Sequence, residues 1–118
     1  MADQSTRIYH NPRCSKSRQT LALLEDRGLQ PDIIKYLETP PTAEELAGLV
    51  VAMGCSVRDI IRAKESEYKE LGLDNPGLDD EALLRALSEH PKLIERPIVT
   101  HNGKAAMGRP PENVLDIL

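Results

Sequence analysis

A predicted strand, a turn and a helix start follow one another within residues 6–18, which read TRIYHNPRCSKSR. The first four residues include β-branched and aromatic side chains, which favour a strand, and the turn-forming cluster His10-Asn11-Pro12 ends it. A helix is predicted after Cys14, with Gly28 placed to end it. A second strand is expected at Ile33–Leu37. Strand, helix and strand in this order normally form a right-handed parallel crossover.

The rest of the chain predicts several helices followed by a hairpin. Thr42 and Glu45 form a capping-box pattern ahead of an apolar helical face. Residues 63–78 are polar and contain glycine and proline, so they are predicted to be irregular. The Asn102-Gly103 pair predicts a tight hairpin between two short strands. A short final helix is expected at residues 111–118.

This order of elements predicts an α/β protein. It matches a thioredoxin-like fold with a helical insertion between the first βαβ unit and the C-terminal β-hairpin and helix. The sequence contains neither internal repeats nor a linker-like segment, and its 118 residues suit one modest core. We therefore expect a single thioredoxin-like domain over residues 1–118.

Composition argues against several classes of function. Aromatic residues make up 3% of the chain and include neither Trp nor Phe, so nucleic-acid binding by base stacking is not expected. The net charge of −4 argues against a broad phosphate-backbone footprint. No apolar run approaches the ~20 residues of a transmembrane helix, and no secretory signal pattern is present. The protein is expected to be cytoplasmic, without membrane or nucleic-acid partners.

The strongest chemical signal is the position of Cys14 between a strand end and a helix start. Free backbone N–H groups and the helix dipole favour an anion there. Arg13, Lys16 and Arg18 lie within four residues of it, and such surroundings lower a thiol pKa from about 8.5 to roughly 3.5–7.5. We predict a nucleophilic thiolate. The alternative is a buried structural cysteine beside a solvated basic helix face.

The positions of Cys55, Ser17 and His10 indicate which other groups could take part in the chemistry of Cys14. Cys55 follows an apolar helix end and is predicted to be a small core residue. Ser17 stands where a Cys-x-x-Cys motif would place its second cysteine, so a redox cycle would need an external thiol. His10 either tunes the thiolate through a hydrogen bond or serves the turn, and the sequence leaves both open. The histidines and cysteines are too scattered for a metal site, and no tightly bound cofactor is indicated.

Arginines near the C-terminus lie at junctions between predicted elements. Arg96-Pro97 places an X-Pro bond just before a strand, where proline is tolerated. Gly108-Arg109-Pro110 falls at a strand-to-helix junction, where a guanidinium fork suits an anion. Taken singly, Arg62 and Arg109 are typical of surface residues.

In combination, these motifs resemble the glutaredoxin-coupled arsenate reductases, the ArsC-like family, and within it a short subgroup of YfgD type. The resemblance covers nearly the whole chain, from Ile8 to Leu118. It rests on an ordered series of motifs: His10-Asn11-Pro12-x-Cys14-x-x-Ser17-Arg18, Tyr36-Leu37-Glu38-x-Pro40-Pro41, Arg58-x-x-x-Arg62, Arg96-Pro97-Ile98-Val99, Arg109-Pro110 and Val114-Leu115-Asp116-Ile117-Leu118.

The resemblance implies a role for each matched residue. Cys14 is the expected nucleophile, with His10 near it, and Pro97 is the expected cis-proline that faces the cysteine. In the implied cycle the thiolate attacks arsenic, glutathione adds as a second thiol and co-substrate, and glutaredoxin helps to release arsenite. The resemblance assigns three arginines to the binding of arsenate or a similar oxyanion: Arg62, Arg96 and Arg109.

Two alternatives stay open at the level of sequence. One is a non-enzymatic regulator or adaptor of Spx type, which shares the fold and binds RNA polymerase. Those regulators commonly carry a Cys-x-x-Cys switch, and Ser17 here replaces its second cysteine. The other is a related thiol-dependent reductase that acts on a different substrate. The three arginines favour catalysis over docking.

Overall fold

Four strands form one sheet in the computed structural model, which describes residues 6–118. The sheet order is β2-β1-β3-β4. β1 pairs with β2 in parallel and with β3 antiparallel, and β3 pairs antiparallel with β4. The predicted α/β, thioredoxin-like class is confirmed. The strands are β1 (Thr6–Tyr9), β2 (Asp32–Ile34), β3 (Ile98–His101) and β4 (Lys104–Met107).

The predicted strand–helix–strand unit is present, with a shorter second strand than expected. α1 spans Ser15–Asp26, and Gly28, at a φ of 78°, follows its end. The second strand ends at Ile34 and not at Leu37, because the chain turns there. The N–H groups of Glu38 and Thr39 both donate to the carbonyl of Lys35 at 2.9 Å. The apolar run extends past the strand because Tyr36 is buried, with 1% of its surface exposed.

The hairpin and the last helix also follow the prediction. Asn102 and Gly103 adopt φ angles of 50° and 86°, the two positive values that a two-residue hairpin turn of type I′ requires. The final helix, Pro111–Ile117, is a 3-10 helix that packs against β4 and α1. Four fully buried side chains form the core beside the sheet: Ile8, Leu24, Val99 and Val114.

The helical insertion forms a compact unit of its own, Pro40–Glu95, and the remaining chain, Met1–Thr39 with Arg96–Leu118, forms the other. That the whole chain is one domain stays a prediction. Within the insertion α2 and α4 pack against each other. Its helices are α2 (Ala43–Met53), α3 (Ser66–Glu70), α4 (Asp80–Glu89) and the 3-10 turns Val57–Ile60 and Pro91–Leu93.

Local signals set the helix starts of the insertion. Thr42 accepts a hydrogen bond from the Glu45 N–H at 3.1 Å, and Asp79 accepts one from the Ala82 N–H at 2.9 Å, so each helix has a side-chain cap. The short helix α3 was predicted to be irregular, and that prediction is wrong. Across residues 6–118, no helix has both the length and the apolar character needed to cross a membrane.

Candidate active site

Cys14 lies at the junction that the sequence predicts, directly before α1. It is the N-cap residue of that helix, with extended backbone angles of −94° and 122°. Its N–H donates to the carbonyl of Asn11 at 3.0 Å, and its own carbonyl accepts the N–H of Arg18 at 3.0 Å. The residue is 9% exposed. The thiol is therefore largely shielded but sits at the positive end of a helix.

The surroundings lower the pKa of the Cys14 thiol below its ordinary value. Burial is the largest influence and by itself raises that pKa. It is outweighed by hydrogen bonds from the backbone N–H groups of Ser17 and Lys16, together with the positive charges of Arg96 and Arg109. All of these favour the thiolate over the neutral thiol. The structure thus favours the thiolate form of Cys14, and its role as the nucleophile stays a prediction.

The positive charges that lower the pKa of Cys14 are not those expected from the sequence. The prediction relied on Arg13, Lys16 and Arg18, which are its neighbours along the chain. In the structure the largest charge contributions come from Arg96 and Arg109. Lys16 contributes through its backbone N–H, and Arg18 donates from Nη1 to the carbonyl of Pro12 at 2.9 Å.

His10 is a buried partner of α1. Its Nδ1 and the Ser17 Oγ are hydrogen-bonded at 2.7 Å, and the Ser17 Oγ also accepts the N–H of Asn11 at 3.0 Å. Burial, and then the charges of Lys35 and Arg18, lower the pKa of His10, so the ring is neutral at neutral pH. His10 therefore anchors Ser17, the residue whose backbone N–H faces Cys14, and a direct part of His10 in tuning the thiolate stays a prediction.

The role of the Ser17 side chain was missed at the level of sequence, where it served only as evidence against a second cysteine. Ser17 is fully buried on α1. It precedes Leu21 and Leu24 by four and seven residues, so it belongs to the same helical face. A polar residue on an apolar face needs a hydrogen-bond partner, and that signal was available.

Arg96, Pro97 and Arg109 come together from two loops. The Arg96-Pro97 bond is cis, as predicted, and so is the Arg109-Pro110 bond. Arg109 donates from Nη1 to the carbonyl of Arg96 at 3.2 Å, and the Gly108 N–H donates to the carbonyl of Pro97 at 2.9 Å. The guanidinium groups of Arg96 and Arg109 both help to lower the pKa of Cys14. Together they form a cationic surface suited to binding an oxyanion.

Arg62 belongs to the helical insertion, and its part in the site stays a prediction. Its N–H donates to the carbonyl of Leu93 at 2.7 Å. Its Nη2 lies 3.1 Å from the Glu65 carboxylate, whose other oxygen lies 3.5 Å from Lys92. Both members of the Arg62–Glu65 pair are partly buried, with side chains 26% and 20% exposed, so solvent screens this ion pair less than a fully exposed one.

Comparison with known proteins identifies the family. The family model described as the ArsC family matches residues 9–117 of this chain, which include Cys14 and all three arginines. The chain belongs to the ArsC family.

Relatives within the ArsC family match over nearly their full length. A protein of Neisseria meningitidis named arsenate reductase is 57% identical over 113 residues, which are 95% of this chain and 97% of the relative. A protein of Escherichia coli named uncharacterized protein YfgD is 53% identical over 116 residues, covering 98% of both chains. A solved structure described as arsenate reductase from Vibrio cholerae is 60% identical, with a TM-score of 0.94 over 96% of this chain and 97% of that one.

We expect Cys14 to be alkylated by iodoacetamide below neutral pH, and Cys55 only slowly. The pKa of Cys14 is lowered, whereas burial and the nearby Asp59 raise the pKa of Cys55. Because the thiolate is the reacting form, the rate at Cys14 should rise at lower pH than the rate at Cys55. Mass spectrometry of peptides sampled across a pH series measures both rates in one protein.

The same experiment contains its own comparison, since both thiols share one solution. Cys55 is partly exposed, contrary to its predicted place in the core, so slow alkylation there cannot be put down to complete burial. Equal pH profiles at the two cysteines would show that the surroundings of Cys14 do not activate it.

Gly108 holds the proline loop against α1, and we expect Gly108→Ala to destabilise the fold. A Cβ at this position would lie 2.6 Å from the Oγ1 of Thr20 and 2.9 Å from the Cγ of Pro97. Overpacking of this kind costs about 1–3 kcal/mol, measurable by urea denaturation. Gly48→Ala is the control, since no atom lies within 4 Å of its added Cβ and a helical alanine gains about 0.5–1 kcal/mol. Equal stability of both variants would mean that the loop is loosely packed.

Proposed function

We propose that this chain is an arsenate reductase that uses the Cys14 thiolate, with glutathione and glutaredoxin as electron donors. The observation that carries the proposal is the position of Cys14 at the start of α1, where Arg96 and Arg109 help to lower the pKa of its thiol. A tetrahedral oxyanion needs cationic donors beside the attacking sulfur, and guanidinium groups supply paired hydrogen bonds. The Neisseria and Vibrio relatives are named arsenate reductases, which supports arsenate as that oxyanion.

The first chemical step joins sulfur to arsenic. The Cys14 thiolate attacks the arsenic atom of arsenate, and one oxygen leaves as water after protonation. Arg96, Arg109 and Arg62 would hold the remaining oxygens and offset their negative charge. Arsenic stays pentavalent in this step, because a sulfur ligand has only replaced an oxygen ligand.

The next steps need two further thiols, because Ser17 leaves the helix start without a second cysteine. The glutathione thiol displaces another oxygen as water, so that arsenic carries both sulfurs. A glutaredoxin thiolate then attacks the glutathione sulfur. A disulfide forms between glutaredoxin and glutathione, and the electron pair of the broken sulfur–arsenic bond reduces arsenic to the trivalent state. Water finally displaces arsenite from Cys14 and regenerates the thiolate. The cycle fits the cytoplasm, where glutathione keeps thiols reduced.

In this scheme His10 is a positioning residue. Its buried hydrogen bond to Ser17 fixes the first turn of α1, whose N–H groups face the Cys14 sulfur. No tightly bound cofactor is part of the proposal, and glutathione enters as a co-substrate.

The proposal is tested by arsenate-dependent NADPH oxidation, coupled through glutathione, glutathione reductase and glutaredoxin. The expected result is turnover that requires arsenate, glutathione and glutaredoxin together. Turnover that persists without glutaredoxin would refute the assigned electron donor. A protein without arsenate turnover, but with rapid alkylation of Cys14 below neutrality, would instead assign this site to another substrate.

A further inference from the structure

A cleft opens beside the loop that carries Cys14. It has a volume of about 240 Å³ and is lined by residues 10–13 of the loop before α1 and by Lys35, Leu37 and Glu38 of the loop after β2. β1 and β2 are parallel neighbours, so both loops leave the same edge of the sheet. The N–H of His10 donates to the carbonyl of Ile34 at 2.8 Å, which ties the two loops together.

The cleft combines two cations, one anion and an apolar wall. Arg13, Lys35 and Glu38 are exposed, and Leu37 is 46% exposed, although it is a large apolar side chain. The turn in which the Glu38 N–H donates to the carbonyl of Lys35 at 2.9 Å keeps the cation and the carboxylate on one short loop. These groups match a small peptide that carries carboxylates, an ammonium group and aliphatic methylene groups.

The cleft also adjoins the loop that carries Cys14. Arg13 lines it and directly precedes Cys14 in the sequence. The N–H of Cys14 donates at 3.0 Å to the carbonyl of Asn11, which is another lining residue. A ligand seated here is therefore beside the Cys14 loop, whereas the oxyanion is assigned to Arg96 and Arg109 on the later loops.

We propose that this cleft is the binding site for the peptide thiol co-substrate, with Arg13 and Lys35 contacting its carboxylates and Glu38 contacting its ammonium group. The inference rests on the proposed function, since it supplies the site from which the second thiol reaches arsenic. The two anionic ligands would then have separate binding sites. The oxyanion binds to Arg96 and Arg109, and the carboxylates of the peptide thiol bind to Arg13 and Lys35. This arrangement also explains why Leu37 is exposed, because the aliphatic part of the peptide would cover it.

Kinetics with charge variants test the site. In the coupled assay, Lys35→Glu should raise the KM for glutathione by roughly fivefold to tenfold, while kcat at saturating glutathione and the KM for arsenate stay near the wild-type values. The matched control is Lys104→Glu, another exposed lysine, at the start of β4. With 2-mercaptoethanol, which has no carboxylate, as the thiol, and with arsenite formation measured directly because glutathione reductase does not act on that thiol, Lys35→Glu and wild type should react alike. An unchanged glutathione KM, or an equal rise in Lys104→Glu, would overturn the site.

A binding measurement keeps the test independent of arsenate turnover. In a Cys14→Ser background, which cannot form a disulfide at the site, a glutathione titration followed by amide NMR should shift Asn11, Arg13, Lys35 and Glu38, and adding Lys35→Glu should weaken those shifts. Shifts confined to the Arg96 and Arg109 loops, or no shifts at all, would contradict the cleft. If glutathione binds here while the wild type shows no arsenate turnover, the proposed function fails and the cleft stands.

Discussion

Replacing Cys14 with serine should lower arsenate reduction by roughly a thousandfold or more, because no other group at the start of α1 can supply the attacking sulfur. Serine has similar size and accepts the same backbone hydrogen bonds, but its hydroxyl is not ionised at neutral pH. The loss should appear in kcat in the coupled assay. Single-turnover mixing with arsenate should also give no sulfur–arsenic adduct by mass spectrometry.

Cys55→Ser is the matched control for this expectation. Cys55 belongs to the helical insertion, and its Sγ contacts the carbonyl of Val50 at 3.9 Å, a weak interaction that serine can replace. Most of the activity should therefore remain. Activity that survives in Cys14→Ser, or that disappears equally in Cys55→Ser, would rule out a cycle with a single protein thiol.

The fold was predictable wherever a helix end, a helix cap or a turn is determined by its own few residues. Gly28 ends α1, Thr42 caps α2, and Asn102-Gly103 makes the hairpin turn, and each does so through its own backbone or side chain. The crossover, the insertion and the hairpin follow from these signals. The resemblance to a known family then added the cis bond before Pro97, which local sequence alone would not indicate because most X-Pro bonds are trans.

The prediction failed where contacts distant in sequence decide the local structure. The segment around α3 is polar, yet Arg58 holds it by donating to the Tyr68 hydroxyl at 3.1 Å and to the carbonyls of Leu73 and Asn75 at 2.9 and 2.8 Å. Similarly, the end of β2 depends on the turn at Lys35. Neither contact leaves a periodic pattern in the sequence.

In the candidate site, too, local features were predictable and contacts distant in sequence were not. The location of Cys14 followed from a strand, a turn and a helix start within residues 6–18. The charges that lower its pKa could not be ranked from sequence, because proximity along the chain favoured Arg13 and Arg18, while folding brings Arg96 and Arg109 to bear on the thiol. Sequence spacing reports distance in space only within one helix or strand.

The second large expected effect is a loss of kcat/KM for arsenate when the site arginines are replaced with lysine. These substitutions separate the role of the positive charge from that of the guanidinium geometry. Arg96→Lys and Arg109→Lys keep a positive charge near Cys14 but lose the planar donor fork. We therefore expect the Cys14 alkylation profile to change little, while kcat/KM for arsenate falls roughly tenfold to a hundredfold, as for a lost charge-assisted contact of about 1.5–3 kcal/mol. Under the proposed function, Arg62→Lys should show a loss of the same size.

Arg85→Lys provides the control for these three variants, since Arg85 is exposed on α4 and pairs with Glu81 at 3.1 Å. Its kcat/KM should match wild type, because an exposed ion pair contributes little. An unaffected Arg62→Lys variant would remove Arg62 from the oxyanion site and leave binding to the later loops. If instead Arg96→Lys and Arg109→Lys moved the alkylation profile of Cys14 and left arsenate kinetics intact, the two arginines would serve the thiolate and not the substrate. The two measurements thus assign each guanidinium either to activating the sulfur or to holding the oxyanion that the sulfur attacks.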